Sequence, residues 1–222
     1  RQTDRQTDRQ NCYIADIGGS NGDIAKMMTD EGFNMILIEP TKEACVNASK
    51  KGISNIICGY VNDNDFNPKC FDDCLLSNVL EHIEKDIDFL KCLKDKMKEN
   101  AKIIILVPAF QFLWNSNDNV AKHFRRYSLK RLNKAAVEAG FKVLFSSYFF
   151  SFLFLPMLAI KILERFGFIK KYDVNNETYK NRHTGGFLTN FIIKIFNKIE
   201  IKFMRLKIKI PFGTSIALVA RK

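Results

Sequence analysis

A glycine-rich turn near the N-terminus holds the first residues whose types and spacing suggest chemistry. Residues 16–23 read Asp-Ile-Gly-Gly-Ser-Asn-Gly-Asp and directly follow a short apolar run. Glycines at such a turn let the backbone approach a ligand closely, and the N-terminus of the following helix supplies N–H donors. The turn matches neither the Gly-x-Gly-x-x-Gly of dinucleotide sites nor the Gly-Lys-Ser/Thr of phosphate-binding loops. Its aspartates, Asp16 and Asp23, favour a cationic ligand over a pyrophosphate.

Further polar residues follow later apolar runs, where the strands of a parallel sheet end. They are Glu39, Asp63, Asn78, His82, His123, Arg125, Arg126 and Tyr127. A histidine is the usual proton acceptor near neutral pH, and two adjacent arginines offer bidentate recognition of an anion. Loops at the carboxyl edge of such a sheet carry chemistry, so this edge is the expected active site.

Alternating strand and helix patterns must position these residues. Apolar runs bounded by turn residues predict strands at residues 12–17, 34–38, 55–61, 72–78, 102–107, 141–148 and 214–220. Amphipathic segments predict helices at 23–31, 41–51, 87–98 and 128–139, with Thr41 and Ser128 as N-caps. This alternation is typical of a parallel sheet covered on both faces. The predicted fold class is therefore α/β.

The positive charge is concentrated in the last third of the chain. The 222 residues carry a formal net charge of +11, and residues 151–222 hold fourteen basic and four acidic residues together with nine of the twenty phenylalanines. A basic, Phe-rich segment favours an anionic, partly apolar partner such as a membrane surface over nucleic acid. Residues 187–203 show helical spacing, which predicts a helix that either contacts the membrane or covers the core. Residues 206–210 alternate between apolar and polar, which predicts extended backbone.

The chain is thus divided into four parts. Residues 1–11 form a repeat expected to be disordered, 12–150 the α/β core, 151–213 a basic, Phe-rich helical insertion between strands six and seven, and 214–222 the final strand. Hydrophobic residues at 46% exclude a wholly disordered or collagen-like chain. The uncharged run 143–160 contains three serines and a proline, which favours a helix in the membrane interface over one that spans it.

The six cysteines show no spacing typical of a zinc site, and no disulfide framework is indicated. We interpret them as reduced thiols of a cytoplasmic, peripheral membrane protein, since the N-terminus carries no signal-peptide pattern. The sequence predicts no resident metal.

Taken in order, these motifs resemble class I S-adenosylmethionine-dependent methyltransferases that act on small molecules. The matching motifs run from residue 12 to 222: Asp-x-Gly-Gly at 16–19 with Gly22, Glu39, Asn-Asp-Asn at 62–64, Asn-Val-Leu-Glu-His-Ile at 78–83, Val-Pro-Ala-Phe at 107–110, His-Phe-Arg-Arg-Tyr-Ser at 123–128 and Pro-Phe-Gly-Thr-Ser at 211–215. The later motifs resemble a subgroup associated with cell-envelope and glycan functions. The resemblance implies a Rossmann-like, seven-stranded, mostly parallel sheet whose last strand is antiparallel.

The resemblance also implies S-adenosylmethionine (SAM) as cofactor and a set of site residues. The implied cofactor-binding residues are Asp16, Gly18, Gly19, Gly22, Glu39, Asp63 and Asn78, with Glu39 on the ribose hydroxyls and Asp63 near the adenine. The catalytic candidates are His123 and His82, either of which serves as a base if the acceptor is a hydroxyl. Arg125, Arg126 and Tyr127 are expected to bind the substrate.

The expected function is methyl transfer to a small or lipid-linked acceptor, at a membrane surface. Two alternatives stay open: a nucleic-acid methyltransferase, although the sequence has no base-stacking Asn/Asp-Pro-Pro-Tyr motif, and an inactive, truncated membrane-docking relative. The second arises because only the repeat precedes strand one, where relatives carry helices that cover the cofactor. The sequence determines neither the acceptor nor the oligomeric state.

Overall fold

Seven strands form one sheet. The computed structural model describes residues 12–61, 67, 69–168 and 187–222, and for residues 187–192 the backbone alone. The strands are β1 (Tyr13–Ile17), β2 (Asn34–Glu39), β3 (Ile56–Cys58), β4 (Asp73–Ser77), β5 (Lys102–Pro108), β6 (Lys142–Phe149) and β7 (Ser215–Arg221). Six strands lie within one residue of their predicted bounds, and β3 is shorter than predicted. The predicted repeat tail and Asp63 lie outside the described residues.

The described part of the chain contains seven α-helices. They are α1 (Asp23–Asp30), α2 (Lys42–Lys50), α3 (Asp86–Lys96), α4 (Ser116–Val120), α5 (Leu129–Glu138), α6 (Ser151–Arg165) and α7 (Phe187–Arg205). The Ser128 hydroxyl accepts the N–H of Arg131 at 3.2 Å, which confirms Ser128 as the cap of α5. Thr41 is the N-cap residue of α2, as predicted, but its side chain makes no capping hydrogen bond.

The strand order is β3-β2-β1-β4-β5-β7-β6. Strands β1 to β5 pair in parallel, and β7 lies antiparallel between β5 and β6. The predicted Rossmann-like sheet with an antiparallel last strand is therefore confirmed. The order reverses between β1 and β4, and open α/β sheets bind ligands beyond the carboxyl ends of the strands at such a point.

The core surrounds the central strands. Leu76 on β4, Ile103 and Ile105 on β5 and Leu218 on β7 are fully buried and belong to one cluster, which includes side chains of α3 and α5. Central strands that are covered on both faces need apolar residues at nearly every position, which explains the continuous apolar runs in the sequence. This packing holds the carboxyl edge of the sheet as a fixed platform for the loops.

Two helices lie between β6 and β7, as the sequence predicts. Glu200 of α7 is buried, and its carboxylate accepts the N–H groups of Phe150 and Ser151 at the N-terminus of α6, both at 2.7 Å. The rings of Phe152 and Phe196 stack with their centroids 5.3 Å apart. These contacts hold α6 and α7 against each other.

The end of the insertion differs from the prediction. Residues 206–210, predicted to be extended, form a turn followed by irregular backbone. The N–H of Ile210 donates to the hydroxyl of Ser147 on β6 at 2.8 Å, a side-chain bond and not part of a strand ladder. Among the described helices, none combines the length and the apolar composition that crossing a bilayer requires.

Candidate active site

The glycine turn after β1 adopts backbone conformations that favour glycine. Gly18 and Gly22 have φ angles of +68° and +72°, a region that residues with a Cβ rarely adopt. The N–H of Gly18 donates to the carbonyl oxygen of Ile38 at 2.7 Å. A Cβ on Gly18 would lie 2.8 Å from a methyl carbon of Val79. The turn is therefore in contact with the ends of both strands that flank β1.

Asp16 supplies a buried carboxylate beneath this turn. It is fully buried, and neither oxygen has a hydrogen-bond partner among the residues that the structure describes. Burial raises its pKa to about 6; the nearby backbone N–H of Ala25 opposes this shift without reaching hydrogen-bond geometry, and the carboxylate of Glu39 adds to it. A Cβ on Gly19 would lie 2.4 Å from Asp16 Oδ2, so a larger residue would close off this oxygen. The arrangement fits a ligand that brings positive charge or hydrogen-bond donors.

Glu39, the last residue of β2, faces the glycine turn. Its Oε2 accepts the N–H of Ser20 at 3.0 Å, and its Oε1 accepts the N–H of Thr41 at 2.9 Å. The residue is buried, so these two bonds fix the carboxylate in one orientation. Each oxygen has further lone pairs, which remain available to the hydroxyl groups of a ligand.

Asn78 extends this set of residues beyond β4. It is exposed, has a φ of +54°, and donates its N–H to the carbonyl oxygen of Leu106 at 2.9 Å. Its neighbour Val79 is the residue in contact with Gly18. The predicted cofactor residues at this edge of the sheet are Asp16, Gly18, Gly19, Gly22, Glu39 and Asn78. The assignment of each of them to the cofactor stays a prediction, as does that of Asp63.

A second group of polar side chains follows β4. The 3-10 turn Leu80–His82 brings Glu81 and His82 close to His123, and one potential ligand atom of each residue lies within 4.8 Å of the other two. The two imidazole rings meet edge to face with their centroids 4.6 Å apart. The N–H of Phe124 donates to the carbonyl oxygen of Glu81 at 2.8 Å. The two predicted catalytic histidines thus meet, although they come from different loops.

Burial perturbs both residues of the 3-10 turn. Glu81 is fully buried, and neither of its carboxylate oxygens has a hydrogen-bond partner among the described residues. Burial raises the pKa of Glu81 to about 7. Burial and the neighbouring His123 lower the pKa of His82.

Asp118 orients His123. It is buried in the middle of the short helix α4. It accepts hydrogen bonds from Nε and Nη2 of Arg126 at 2.9 and 2.8 Å, and its Oδ1 lies 2.8 Å from Nδ1 of His123. Burial by itself raises the pKa of Asp118, but the hydrogen bonds from Arg126, the N–H of Asn115 and His123, together with the charge of Arg126, outweigh this effect and the pKa is lowered. An ionised Asp118 accepts the Nδ1–H of His123, which leaves a lone pair on Nε2.

The residues after His123 also bond to their own chain. Arg125 donates to the carbonyl oxygen of Ile83 at 2.7 Å and lies 3.1 Å from the Asp86 carboxylate. Tyr127 is fully buried and its hydroxyl donates to Asp86 at 2.8 Å. The structure thus places Arg125, Arg126 and Tyr127 in contacts that hold the loops together. Their role in substrate binding stays a prediction.

A cavity of about 810 Å³ lies between the segment after β5 and helix α6. Its apolar wall includes Phe112, Trp114, Met157, Leu158 and Ile160, and its charged residues are Lys161, Glu164 and Arg165. The Trp114 ring lies 6.4 Å from the His123 ring, so the cavity adjoins the histidine pair. Asp16, Glu39 and the two histidines lie outside the lining of this cavity.

Sequence reasoning missed three acidic residues of this region as site residues: Glu81, Asp86 and Asp118. A signal for Asp118 was present, because Asn115 and Asp118 have the spacing of a capping box. The Asn115 side chain accepts an N–H of the first helical turn, and the Asp118 side chain accepts the N–H of Asn115. The position of Glu81 beside His82 was a weaker signal. Nothing local marked Asp86 as the partner of Tyr127.

The sequence of residues 4–145 matches the family described as methyltransferase domain, over more than half of the 222 residues. The chain belongs to this family. The predicted class, a SAM-dependent methyltransferase, is confirmed. Within the methyltransferase, helices α6 and α7 lie beyond the matched residues.

Solved structures of other methyltransferases share the fold. A SAM-dependent methyltransferase from Archaeoglobus fulgidus has a TM-score of 0.58 at 19% identity, covering 100% of this chain and 91% of that one. The 1,6-didemethyltoxoflavin-N1-methyltransferase of Burkholderia thailandensis, with bound 1,6-didemethyltoxoflavin and S-adenosylhomocysteine (SAH), has a TM-score of 0.54 at 13% identity and coverages of 95% and 70%. Phosphoethanolamine N-methyltransferase 2 of Haemonchus contortus, in complex with SAM, has a TM-score of 0.57 at 13% identity and coverages of 99% and 52%. These likenesses show the fold alone, and no curated protein matches the sequence.

Proposed function

We propose that this methyltransferase transfers the methyl group of SAM to a small amphiphilic acceptor at the surface of an anionic membrane. The cavity between the segment after β5 and α6 supports this acceptor class. Its α6 side carries aliphatic side chains together with Lys161 and Arg165, and its other side combines Phe112 and Trp114 with polar side chains of residues 115–119. Such a wall suits a molecule that has an apolar part and a polar or anionic head.

The glycine turn is the proposed cofactor site. The unpartnered carboxylate of Asp16 and the oriented carboxylate of Glu39 offer acceptors to the ammonium and hydroxyl groups of SAM, and Gly19 leaves room beside Asp16. When bound, SAM supplies a methyl group on a positively charged sulfur. The two carboxylates add negative charge at this edge of the sheet, which favours a cationic ligand.

The contribution of Glu39 is testable by calorimetric titration with SAH. Replacing Glu39 with alanine should weaken SAH binding by about 1–3 kcal/mol, because charge-assisted hydrogen bonds to the ribose are lost. Glu39→Gln, which keeps one acceptor oxygen, should lose less. Glu43→Ala removes an exposed carboxylate of α2 and should bind SAH like the wild type. If Glu39→Ala retains full affinity, the ribose contact lies elsewhere.

His82 and His123 are the proposed catalytic residues, since they lie beside the cavity and provide nitrogen lone pairs. Asp118 holds His123 through Nδ1, which directs the lone pair of Nε2 away from Asp118. A hydroxyl or amine acceptor that enters along Trp114 would meet this histidine pair. In this proposal Arg126 acts through Asp118 and so is a positioning residue.

The membrane part of the proposal is supported by the exposed faces of α6 and α7. Apolar side chains are exposed along both helices, and Phe166 and Phe168 just after α6 are 71% and 76% exposed. Other exposed apolar residues are Leu155, Ile160, Ile162, Ile195, Phe196, Ile199, Phe203 and Leu206. The described exposed charges of α7 are all basic, namely Lys194, Lys198, Lys202 and Arg205. This combination is complementary to an anionic bilayer and is typical of helices that lie in its interface.

Flotation with vesicles tests this surface. The protein should float with anionic vesicles at low salt, and the triple variant Lys194→Glu, Lys198→Glu, Lys202→Glu should remain at the bottom of the gradient. Each basic residue near an anionic surface contributes about 1 kcal/mol, so three charge reversals remove most of the electrostatic attraction.

The matched control makes the same charge change away from the insertion. Lys42→Glu, Lys50→Glu and Lys130→Glu lie at exposed positions on α2 and α5, and this variant should float like the wild type. Equal flotation with neutral and anionic vesicles would remove the electrostatic part of the proposal. Absence of flotation with both kinds would leave α6 and α7 as a cover of the core.

Transfer itself is tested with SAM labelled in its methyl group and a membrane extract. We expect label in the organic-solvent phase with the wild type and background label with Asp16→Asn. Label in the nucleic-acid fraction would favour a nucleic-acid methyltransferase instead. Background label in every fraction would favour an inactive, membrane-docking relative.

A further inference from the structure

We infer that Glu81, His82 and His123 bind a divalent transition-metal ion, for which zinc is the best chemical match. One carboxylate and two imidazoles place their potential ligand atoms within 4.8 Å of one another. Ligand atoms about 2 Å from a common zinc ion lie roughly 3–4 Å apart, so small side-chain rotations bring these three into place. His82 is exposed, and the contact of its imidazole with the described chain that such an adjustment would change is a hydrogen bond to the backbone of Ala121. This inference differs from the sequence-based prediction of no resident metal.

Glu81 provides an independent observation. It is fully buried, and both of its carboxylate oxygens lack a hydrogen-bond partner among the residues that the structure describes. A buried carboxylate is strongly unfavourable unless a charge or a metal ion pairs with it. The neighbouring guanidinium of Arg126 is already engaged by both oxygens of Asp118. An ion between Glu81 and the histidines supplies the missing partner.

The surroundings of His123 match those of a metal ligand. Histidines that bind metals almost always donate their second ring N–H to a carboxylate or carbonyl, which fixes the tautomer and the ring orientation. Nδ1 of His123 lies 2.8 Å from Oδ1 of Asp118, and Asp118 is in turn held by Arg126. This pairing leaves Nε2 of His123 for the ion.

The ligand types indicate which ion binds. Imidazole suits zinc, cobalt and iron, whereas magnesium prefers an all-oxygen environment. Three protein ligands leave at least one position open, and His123 adjoins the cavity through Trp114. We therefore assign to the open position an oxygen or nitrogen atom of the acceptor. With the ion bound, the two histidines are ligands and not bases; the ion would lower the pKa of the acceptor, and its proton would pass to solvent water. This assignment rests on the proposed function, whereas binding of the metal does not.

Spectroscopic titration of the full chain with Co²⁺ tests the site. Cobalt reports its ligands, because thiolates add an intense ligand-to-metal charge-transfer band that nitrogen and oxygen ligands lack. This distinction matters since the chain has six cysteines. We expect one Co²⁺ per chain with visible ligand-field bands and no thiolate band, bleaching on addition of Zn²⁺, and no displacement by Mg²⁺.

Variants locate the ion. Glu81→Gln and His82→Gln should each weaken Co²⁺ binding by about 100-fold or more. His82 is exposed, so His82→Gln should leave the fold intact. Co²⁺ binding by this variant therefore tests the site even where Glu81→Gln does not fold. Glu84→Gln, an exposed carboxylate in the same loop, should bind Co²⁺ like the wild type. The inference is overturned if His82→Gln binds Co²⁺ as tightly as the wild type, or if the spectrum is that of thiolate ligation.

A separate variant distinguishes this inference from the proposed function. Asp16→Asn should weaken SAH binding and leave Co²⁺ binding unchanged, because Asp16 belongs to the glycine turn. A wild-type protein that binds Co²⁺ but not SAH would contradict the proposed function alone. A wild-type protein that binds SAH but not Co²⁺ would contradict the metal site alone.

Discussion

Replacing Asp16 with asparagine should weaken SAH binding by about 2–3 kcal/mol and, at the same time, raise the melting temperature of the unliganded protein at neutral pH. Asp16 is fully buried and unpartnered among the described residues, so its negative charge is unfavourable until a ligand is bound. Its raised pKa corresponds to about 3 kcal/mol of lost stability above pH 6. Asparagine keeps the shape and removes the charge, which should raise the melting temperature by a few degrees.

The pH dependence of this effect has a definite sign. The pKa of Asp16 is raised from 3.8 to about 6 in the folded protein, so the folded state binds the proton more tightly than the unfolded state. The contribution of Asp16 to stability is therefore most favourable below about pH 4, falls as the pH rises to about 6, and is constant above. Thermal denaturation across this range should show the difference between Asp16→Asn and wild type growing from pH 4 to 6.

Asp23→Asn is the matched control for Asp16→Asn. Asp23 lies in the same turn, but its side chain is 79% exposed and pairs with Lys51. Its replacement should change neither SAH affinity nor the pH dependence of unfolding. An Asp16→Asn protein that binds SAH as tightly as the wild type would contradict the assignment of Asp16 to the cofactor.

Replacing Asp118 with alanine should reduce the free energy of unfolding by about 3–5 kcal/mol. The carboxylate accepts two hydrogen bonds from the buried guanidinium of Arg126 and one from the N–H of Asn115, and it lies 2.8 Å from Nδ1 of His123. Its removal leaves a buried cation without its partner. Denaturant titration followed by circular dichroism measures the loss.

Two further variants show whether loss of the Asp118–Arg126 ion pair causes the reduced stability of Asp118→Ala. Asp88→Ala removes the partner of Lys91 in an exposed pair on α3, and should change stability by less than about 1 kcal/mol. The double variant Asp118→Leu, Arg126→Met replaces both buried charges with apolar groups and should recover much of the lost stability. If Asp118→Ala is as stable as the wild type, the pair does not hold the loop after β5.

The strand and helix pattern was predictable because each element carries its own signal. The central strands are buried on both faces, so Leu76, Ile103 and Ile105 stand in continuous apolar runs. Ser128 precedes a helix and caps it through a bond within four residues. The predicted β3 was too long, because the apolar residues after Cys58 do not show where the hydrogen bonds between β3 and β2 end. Helix α4 was not predicted, since it is short. A helix was predicted where α6 lies, but not its first residue, because the same uncharged run 143–160 also supplies the end of β6.

The glycine turn and Glu39 could be located from the sequence by itself, because a parallel sheet with this order places the ends of β1 and β2 together. Local spacing was sufficient for these residues. What the turn does with its carboxylates required the structure. Only the packing shows that Asp16 is buried without a partner, and that Thr41 donates its N–H to Glu39 instead of capping α2 with its side chain.

The second cluster was decided by tertiary structure. Glu81 and His123 lie in loops after different strands, and no periodicity connects them; a single backbone bond from Phe124 to Glu81 brings the loops together. The sequence showed two arginines and a tyrosine in a row and suggested substrate contacts, because their chemistry is visible but their partners are not. The fold places Asp118 against Arg126 and Asp86 against Tyr127, since charges and hydroxyls that become buried must find partners within the chain. Residue types determined which chemistry was available, and the packing of distant loops determined where each group is used.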